Sequence, residues 1–187
     1  MDLALFLLPI VSVLLIVAMR LKEMGTRRDL IPGEVYEQLT FRLLLSIGTA
    51  IALGSIIEYC LLRGRMSWPC FFLGWIFGLS AFAIRGRAIA ALGKFWSLHV
   101  EIRREHEFVH HGPFRFVRHP AYATMVLELL ALTTLTRAWF TMLAIPLLYG
   151  PVLYRRIRLE EQALTAKFGE VYAQYRRSTP ALIPKPW

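Results

Sequence analysis

Apolar residues run along this chain in long unbroken blocks, separated by short basic stretches. Residues 3–19 are almost wholly apolar, enough for a first transmembrane helix, with Pro9 placed to kink it. A charged stretch follows from Arg20 through Lys22, Arg27 and Arg28 to a turn at Pro32-Gly33. Residues 34–42 read as an interfacial helix leading into a second span at 39–62, with Glu58 near its far end. Arg63-Gly64-Arg65 makes a tight loop. The third span opens at Trp68-Pro69, where proline suits a first helical turn, and runs to residue 91. Arg85 and Arg87, in its last third, are expected to snorkel to the interface. Residues 93–118 form the longest polar connection, and alternation over 96–102 predicts an extended piece. Residues 121–136 and 138–154 then predict a tight helical hairpin turning around Arg137. Its second half continues beyond the membrane to Phe168, stops at Gly169 and is followed by a short helix over 170–177. Pro180, Pro184 and Pro186 mark an irregular tail. There is no internal repeat and no low-complexity segment.

The pattern predicts an all-α integral membrane protein with about five transmembrane helices, and composition agrees. The chain has 187 residues, the size of one domain, and its 56% hydrophobic content exceeds that of an ordinary soluble domain. Mean hydropathy is +0.48. Residues 1–92 supply three N-terminal spans, and 93–187 supply the half that carries the candidate chemistry. The net charge of +9 collects between the apolar runs, as expected where one face meets anionic lipid. No nucleic-acid-binding module accompanies it. With five spans the lysine and arginine bias puts the C-terminus and both charged connections on the cytoplasmic side. The first apolar run lacks a basic leader and a small-residue cleavage site, so it reads as a retained span. Cys60 and Cys70 form no Cys-x-x-Cys pair.

Candidate chemistry centres on Gly112-Pro-Phe114-Arg115-Phe-Val-Arg118-His119-Pro120-Ala121-Tyr122, a basic stretch that runs directly into an apolar helix. Pro120 at the first turn puts His119 near the N-cap. The unpaired N–H groups and positive dipole end there suit a carboxylate or phosphate. Simple anchoring at the headgroups is the alternative, and it fits Arg115 and Arg118. Arg156 and Glu160, four apart, share one helix face: either a surface ion pair, or complementary charges lining a cavity. Glu58 and Glu128 are intramembrane carboxylates, costly unless paired or turned to a polar cavity; Glu128, two turns beyond His119, is placed to reach the same pocket. His106 and His110 have i,i+4 spacing, but no His-Glu-x-x-His motif is present and no metal site is expected. Gly-rich phosphate loops, Gly-x-Ser-x-Gly elbows and Rossmann fingerprints are absent.

Three segments together carry a resemblance. They are Leu92-Gly93-Lys-Phe-Trp96-Ser97, then His106-Glu-Phe-Val109-x-x-Gly112-Pro-Phe114-x-x-x-Arg118-His119-Pro120-x-Tyr122, then Arg156-x-x-x-Glu160-Glu161-x-x-Leu164-x-x-x-Phe168-Gly169-x-x-Tyr172-x-x-Tyr175. In order and spacing the C-terminal half resembles the isoprenylcysteine carboxyl methyltransferases, most closely their prokaryotic relatives. The resemblance implies an integral-membrane enzyme using S-adenosyl-L-methionine, with a cofactor pocket on the cytoplasmic side. It implies cofactor contacts from His106, Glu107, Phe108, Val109, Phe114, His119, Pro120, Ala121, Tyr122 and Glu160, with His99 at a further contact position. It gives Arg156 the role of orienting the acceptor carboxylate; Glu128 joins the acceptor site by its position alone, with a structural interhelical hydrogen bond as the alternative. Phe114 departs from the usual tyrosine, and His99 stands where eukaryotic members tend to have glutamine. The implied acceptor is hydrophobic or lipidated, of the prenylcysteine type, entering from the bilayer. Phospholipid or thiol methylation, an NADPH-dependent membrane reductase, and a non-catalytic relative of the same fold are the competing readings.

Overall fold

A computed structural model of the chain describes residues 3–25, 34–35, 38–62, 64–93, 101–102 and 109–184. Three long helices come first: α1 (Leu3–Gly25), α2 (Leu39–Leu61) and α3 (Trp68–Leu92). At 1.5 Å per residue each is roughly 35 Å long, enough to cross a hydrocarbon core of about 30 Å. All three are also apolar enough to do so. Much of their surface is open, with Leu14, Leu53, Phe72, Ile76 and Leu79 all exposed. In water such faces would be costly; against lipid they are the ordinary outer surface of a membrane bundle.

The fourth helix is different. α4 (Pro120–Leu135) has 16 residues, about 24 Å, and nine of them are buried. It packs along α3 and touches α1 and α2 as well. On one side Ala131, Leu132 and Leu135 meet Val13 and Ile16 of α1. On the other, Leu129 joins Leu44 and Ile51 of α2 and the later residues Ile145, Tyr149, Leu153 and Ile157. Its buried hydroxyls return to its own carbonyls, Thr133 Oγ1 to Leu129 O and Thr136 Oγ1 to Leu132 O, each 2.9 Å. A polar side chain without that bond would cost more than it gains in so apolar a setting.

The chain reverses at Arg137, a non-glycine residue at φ 56°. The turn is held by Arg137 N–H to Thr134 O (3.1 Å) and by the guanidinium bond to Arg65 O (3.3 Å). The return comprises α5 (Trp139–Met142), a π-helical turn at Ile145–Tyr149, α6 (Gly150–Phe168) and α7 (Glu170–Ser178). Pro151 cannot donate to the carbonyl one turn back, which accounts for a widened turn just before it. The hairpin expected around Arg137 is therefore present. The expectation of about five spans is met for three helices by length and hydropathy. Of the remaining hairpin, α4 is sunk among the other helices, whereas the return arm leaves Phe140, Leu143, Leu147 and Leu148 exposed.

Residues 34–42 were expected to be helical, and here the structure differs. Glu34–Val35 is a short strand, β1, paired antiparallel with β2 (Glu101–Ile102), with Glu34 opposite Ile102. Helix begins only at Leu39. The pairing joins two polar connections distant in sequence, and a local reading of helical pattern cannot anticipate it. Extended structure predicted over 96–102 is found at 101–102; residues 96–100 lie outside the described ones.

Candidate active site

At one end of the bundle α6 leaves the apolar core beside the start of α4, and the charged residues of both helices interlock. His119 is the N-cap of α4, with Pro120 buried in the first turn. Its backbone N–H donates to Ala181 O (3.0 Å), and that of Arg118 to Pro180 O (2.8 Å), so the tail closes over the helix entrance. The N–H groups of Tyr122 and Ala123 turn back to His119 O (3.1 and 3.0 Å). The helix opening is thus narrower than a row of free donors. Ala121 accepts a bond from Thr124 Oγ1 at 2.7 Å.

Within the first turn of α4, Tyr122 links the two helices. Its hydroxyl donates to Glu160 Oε2 (2.5 Å) and accepts from Arg156 Nε (2.9 Å). Arg156 also donates to Thr40 Oγ1 of α2 (3.4 Å), and its guanidinium lies over the rings of Phe41 (5.6 Å) and Tyr122 (5.7 Å). Two rings and two oxygen partners stabilise a cation that is only 2% exposed. Glu160 remains half-exposed, with His119 Nδ1 3.8 Å from its other oxygen. The two do not form a surface ion pair: Arg156 is buried, Glu160 is half-exposed, and the Tyr122 hydroxyl joins them.

The neighbouring carboxylate has another role. Glu161 Oε1 accepts from Arg118 Nε (3.0 Å) and Nη2 (2.7 Å) and lies 3.3 Å from His119 Nε2. Its Oε2 lies 3.2 Å from Arg176 Nε of α7. Burial would raise this carboxyl's pKa; hydrogen bonds from His119 and Arg118, with the charge of Arg118, outweigh it and hold it at about 2. Arg118 reaches onward to the carbonyls of Arg176 (2.9 Å) and Thr179. It is therefore no headgroup anchor but a clamp joining α4, α6, α7 and the tail. Arg115, by contrast, is exposed.

A third cluster sits where α1, α3 and α4 converge. Arg85, expected to snorkel, is 1% exposed. It bonds Glu128, donates to Thr124 Oγ1 (3.2 Å) and reaches Glu23 (3.3 Å). Arg20 pairs with Glu23 at 3.2 Å and approaches Glu128 at 3.8 Å. Arginine with a carboxylate already inside the bundle costs less paired there than dragged apart to water. A signal for this was present: lone opposite charges in facing apolar runs call for each other.

Beside both clusters lies an apolar cavity of about 230 Å³, lined by α1, α2 and α4. Leu14, Leu45 and Leu53 border it and are exposed, so it opens sideways between α1 and α2. At its polar end stand Arg20, Glu128 and Arg156. Arg156 thus belongs to both the cavity and the Tyr122–Glu160 cluster.

Of the residues singled out from the sequence, Arg156, His119, Pro120, Tyr122 and Glu160 come together. Glu128 faces the cavity but is engaged by Arg85. Ala121 and Val109 are half-buried, and the carbonyl of Phe114 takes the Tyr175 hydroxyl at 2.5 Å. His99, His106, Glu107 and Phe108 lie outside the described residues. Sequence reasoning gave no role to Thr40, Arg20 and the tail carbonyls, which only long-range packing joins to the site, or to Glu161, which it placed beside Glu160. Among the described residues no group of three histidine, cysteine, aspartate or glutamate side chains could hold a metal.

The family model for isoprenylcysteine carboxyl methyltransferases matches residues 74–166, which run from α3 through the hairpin into α6. A protein of Bacillus subtilis named uncharacterized protein YpbQ is 34% identical over 86 residues, covering 46% of this chain and 51% of that protein. The cobalt-zinc-cadmium resistance protein CzcN of Cupriavidus metallidurans is 31% identical over 101 residues, covering 54% and 46%. The protein-S-isoprenylcysteine O-methyltransferase of Schizosaccharomyces pombe is 30% identical over 146 residues, covering 67% and 62%. The chain thus spans about half to three-fifths of the length of these relatives. With the three membrane-crossing helices, the family match places the chain: it is an integral membrane protein belonging to the isoprenylcysteine carboxyl methyltransferase family.

Proposed function

We propose that this chain is an S-adenosyl-L-methionine-dependent methyltransferase whose acceptor is the carboxylate of a lipid-like molecule. One observation carries the reading. Arg156, a buried cation, reaches through Tyr122 to Glu160 and lines the polar end of a cavity that opens to the bilayer. A residue shared between the two brings a cofactor site and an acceptor site within reach of each other.

The residues fit the two ligands. Glu160, half-exposed and turned towards His119, suits the cationic amine or a ribose hydroxyl of the cofactor; the α4 entrance at His119 to Tyr122 suits its anionic end. The cofactor supplies a methyl group on a sulfonium, a leaving group that needs no protonation. An acceptor carboxylate, with a pKa of about 4, is already ionised near neutral pH, so no general base is required. What the protein provides is position and charge: Arg156 orients the carboxylate by charge-assisted bonds, and the apolar walls exclude water. Arginines at the polar end favour an anionic acceptor over the amine of a phospholipid. The apolar walls extend along α2 from Phe41 to Ile56, roughly 20 Å of helix, enough for a prenyl-type chain.

The test uses detergent-purified protein. S-adenosylhomocysteine at about 100 times its Kd should add about 2.7 kcal/mol of thermal stability, and NADPH none. Arg156→Ala should keep that stabilisation while losing methyl transfer to farnesylcysteine by about 100-fold or more in kcat/KM. Glu160→Ala should weaken the stabilisation itself. Absence of any S-adenosylhomocysteine shift sinks the methyltransferase reading. A preference for a phospholipid amine or a thiol over farnesylcysteine sinks the carboxylate.

A further inference from the structure

A second groove lies at the α4–α6 hairpin, distinct from the acceptor cavity, with Tyr149 bordering both. It encloses about 440 Å³, and its walls are Ile145, Pro146, Leu153, Ile157, Tyr154 and Leu182. At one end the apolar lining stops and three guanidiniums begin: Arg118, Arg158 and Arg176, with Glu161 among them. There a polar cavity of about 220 Å³ adjoins it, lined by Arg158, Arg176, Glu161, Gln162 and Thr165.

The charges at that end do not balance. Glu161 is the lone carboxylate among the groove's lining residues, and both its oxygens are taken, Oε1 by Arg118 and Oε2 by Arg176. Arg158 is exposed and has no ion pair among the described residues. Three cations against one anion leave an excess of two positive charges beside an apolar slot. The groove runs from Ile145 to Arg158, thirteen residues and roughly 20 Å along the helical return. The hydrocarbon half-thickness of a bilayer is about 15 Å. Its apolar part thus has the depth of one leaflet, and its cationic end falls at the headgroups. Tyr154, 63% exposed, sits where a tyrosine ring suits the boundary.

We propose that this groove is a binding site for one anionic membrane phospholipid, an acyl chain lying on Ile145, Leu153 and Leu182 and the phosphate between Arg158 and Arg176. A zwitterionic headgroup would bring its own cation against the arginine excess and gain less. A soluble phosphate would leave the apolar slot unfilled. The site stands apart from the acceptor cavity, so it holds whatever the reaction proves to be.

The protein, purified in detergent and exchanged into mixed micelles, is examined by native mass spectrometry with phosphatidylglycerol or phosphatidylcholine of identical acyl chains. One phosphatidylglycerol should remain on each chain, retained at least fivefold more than phosphatidylcholine. Arg158→Ala should reduce that retention at least fivefold without changing the melting temperature of the lipid-free protein, and Arg158→Lys should restore most of it. Millimolar glycerol phosphate should not displace the lipid. Equal retention of the two lipids, or unchanged retention in Arg158→Ala, would overturn the proposal. Displacement by glycerol phosphate would overturn it too, in favour of a site for soluble phosphate.

Discussion

Arg156 and Glu161 sit on the same helix, five residues apart, yet only one of their roles could be read from sequence. The i,i+4 relation of Arg156 and Glu160 put both on one face, and Pro120 put His119 at a helix entrance. Those are local rules, and the residues they selected do converge. Glu161 is held by groups from positions 118, 119 and 176, which no local rule brings together. Arg85 failed in the opposite direction: its position near the end of α3 suggested escape to the interface, but Glu128 and Thr124 meet it inside. Glu161 also carries a pH signature. Its folded pKa of about 2 lies below the ordinary 4.5, so the ionised form stabilises the fold at pH above about 4.5, and that contribution is lost as pH falls towards 2. The shift corresponds to at most about 3 kcal/mol. Glu161→Gln should therefore melt well below the parent protein at pH 7, with the gap closing between pH 4.5 and 2.5. A gap that stays constant across that range would show that Glu161 contributes by shape and not by charge.

Among the elements, α4 explains why a chain with five apolar stretches has three helices of full spanning length among its described residues. It is wrapped by protein on most sides, so its ends need not reach the lipid headgroups. Close approach of α3 makes the wrapping possible. A Cβ on Gly74 would stand 2.6 Å from Leu135 Cγ and 3.1 Å from the backbone oxygen of Ala131, whereas one on Gly86 meets nothing within 4 Å. Gly74→Ala should thus destabilise the bundle by about 1–3 kcal/mol through overpacking. Gly86→Ala, in the same helix, should stabilise it by about 0.5–1 kcal/mol through helix propensity. Unfolding in detergent reads both; equal effects would rule out close packing as the reason for Gly74. Glu58, an intramembrane carboxylate in the sequence, is likewise structural. It accepts bonds from the backbone N–H of Phe140 (3.1 Å) and Thr141 (2.7 Å) and from the Thr141 hydroxyl (2.7 Å), closing the first turn of α5. The three long helices and the turn at Arg137 were legible because length, hydropathy and breakers are local. The short α5 and the β1–β2 pair were not, because each depends on a partner elsewhere in the chain.

For the whole molecule, polarity is sorted by end. Arg20, Arg85, His119, Arg156 and Glu161 gather at one end of the bundle, and the loops at Arg65 and Arg137 lie at the other. We propose from the basic excess that the first end is cytoplasmic. With Cys60 and Cys70 replaced by serine, Arg65→Cys should react with a membrane-impermeant maleimide on intact cells. Gln174→Cys, exposed in α7, should react only after the membrane is opened. The reverse pattern would invert the topology. The tail bonds at Pro180 and Ala181 add a consequence in time. Arg118 and His119 are translated 62 residues before their backbone partners Pro180 and Ala181. At about 5–20 residues per second, a ribosome takes several seconds to make the difference. Throughout that interval the nascent protein holds His119, Tyr122 and eventually Arg156 in the membrane with the entrance to α4 unlatched. Closure of the α4 entrance thus waits on residues 180 and 181, and a chain broken off before Pro180 carries His119, Tyr122 and Arg156 without it.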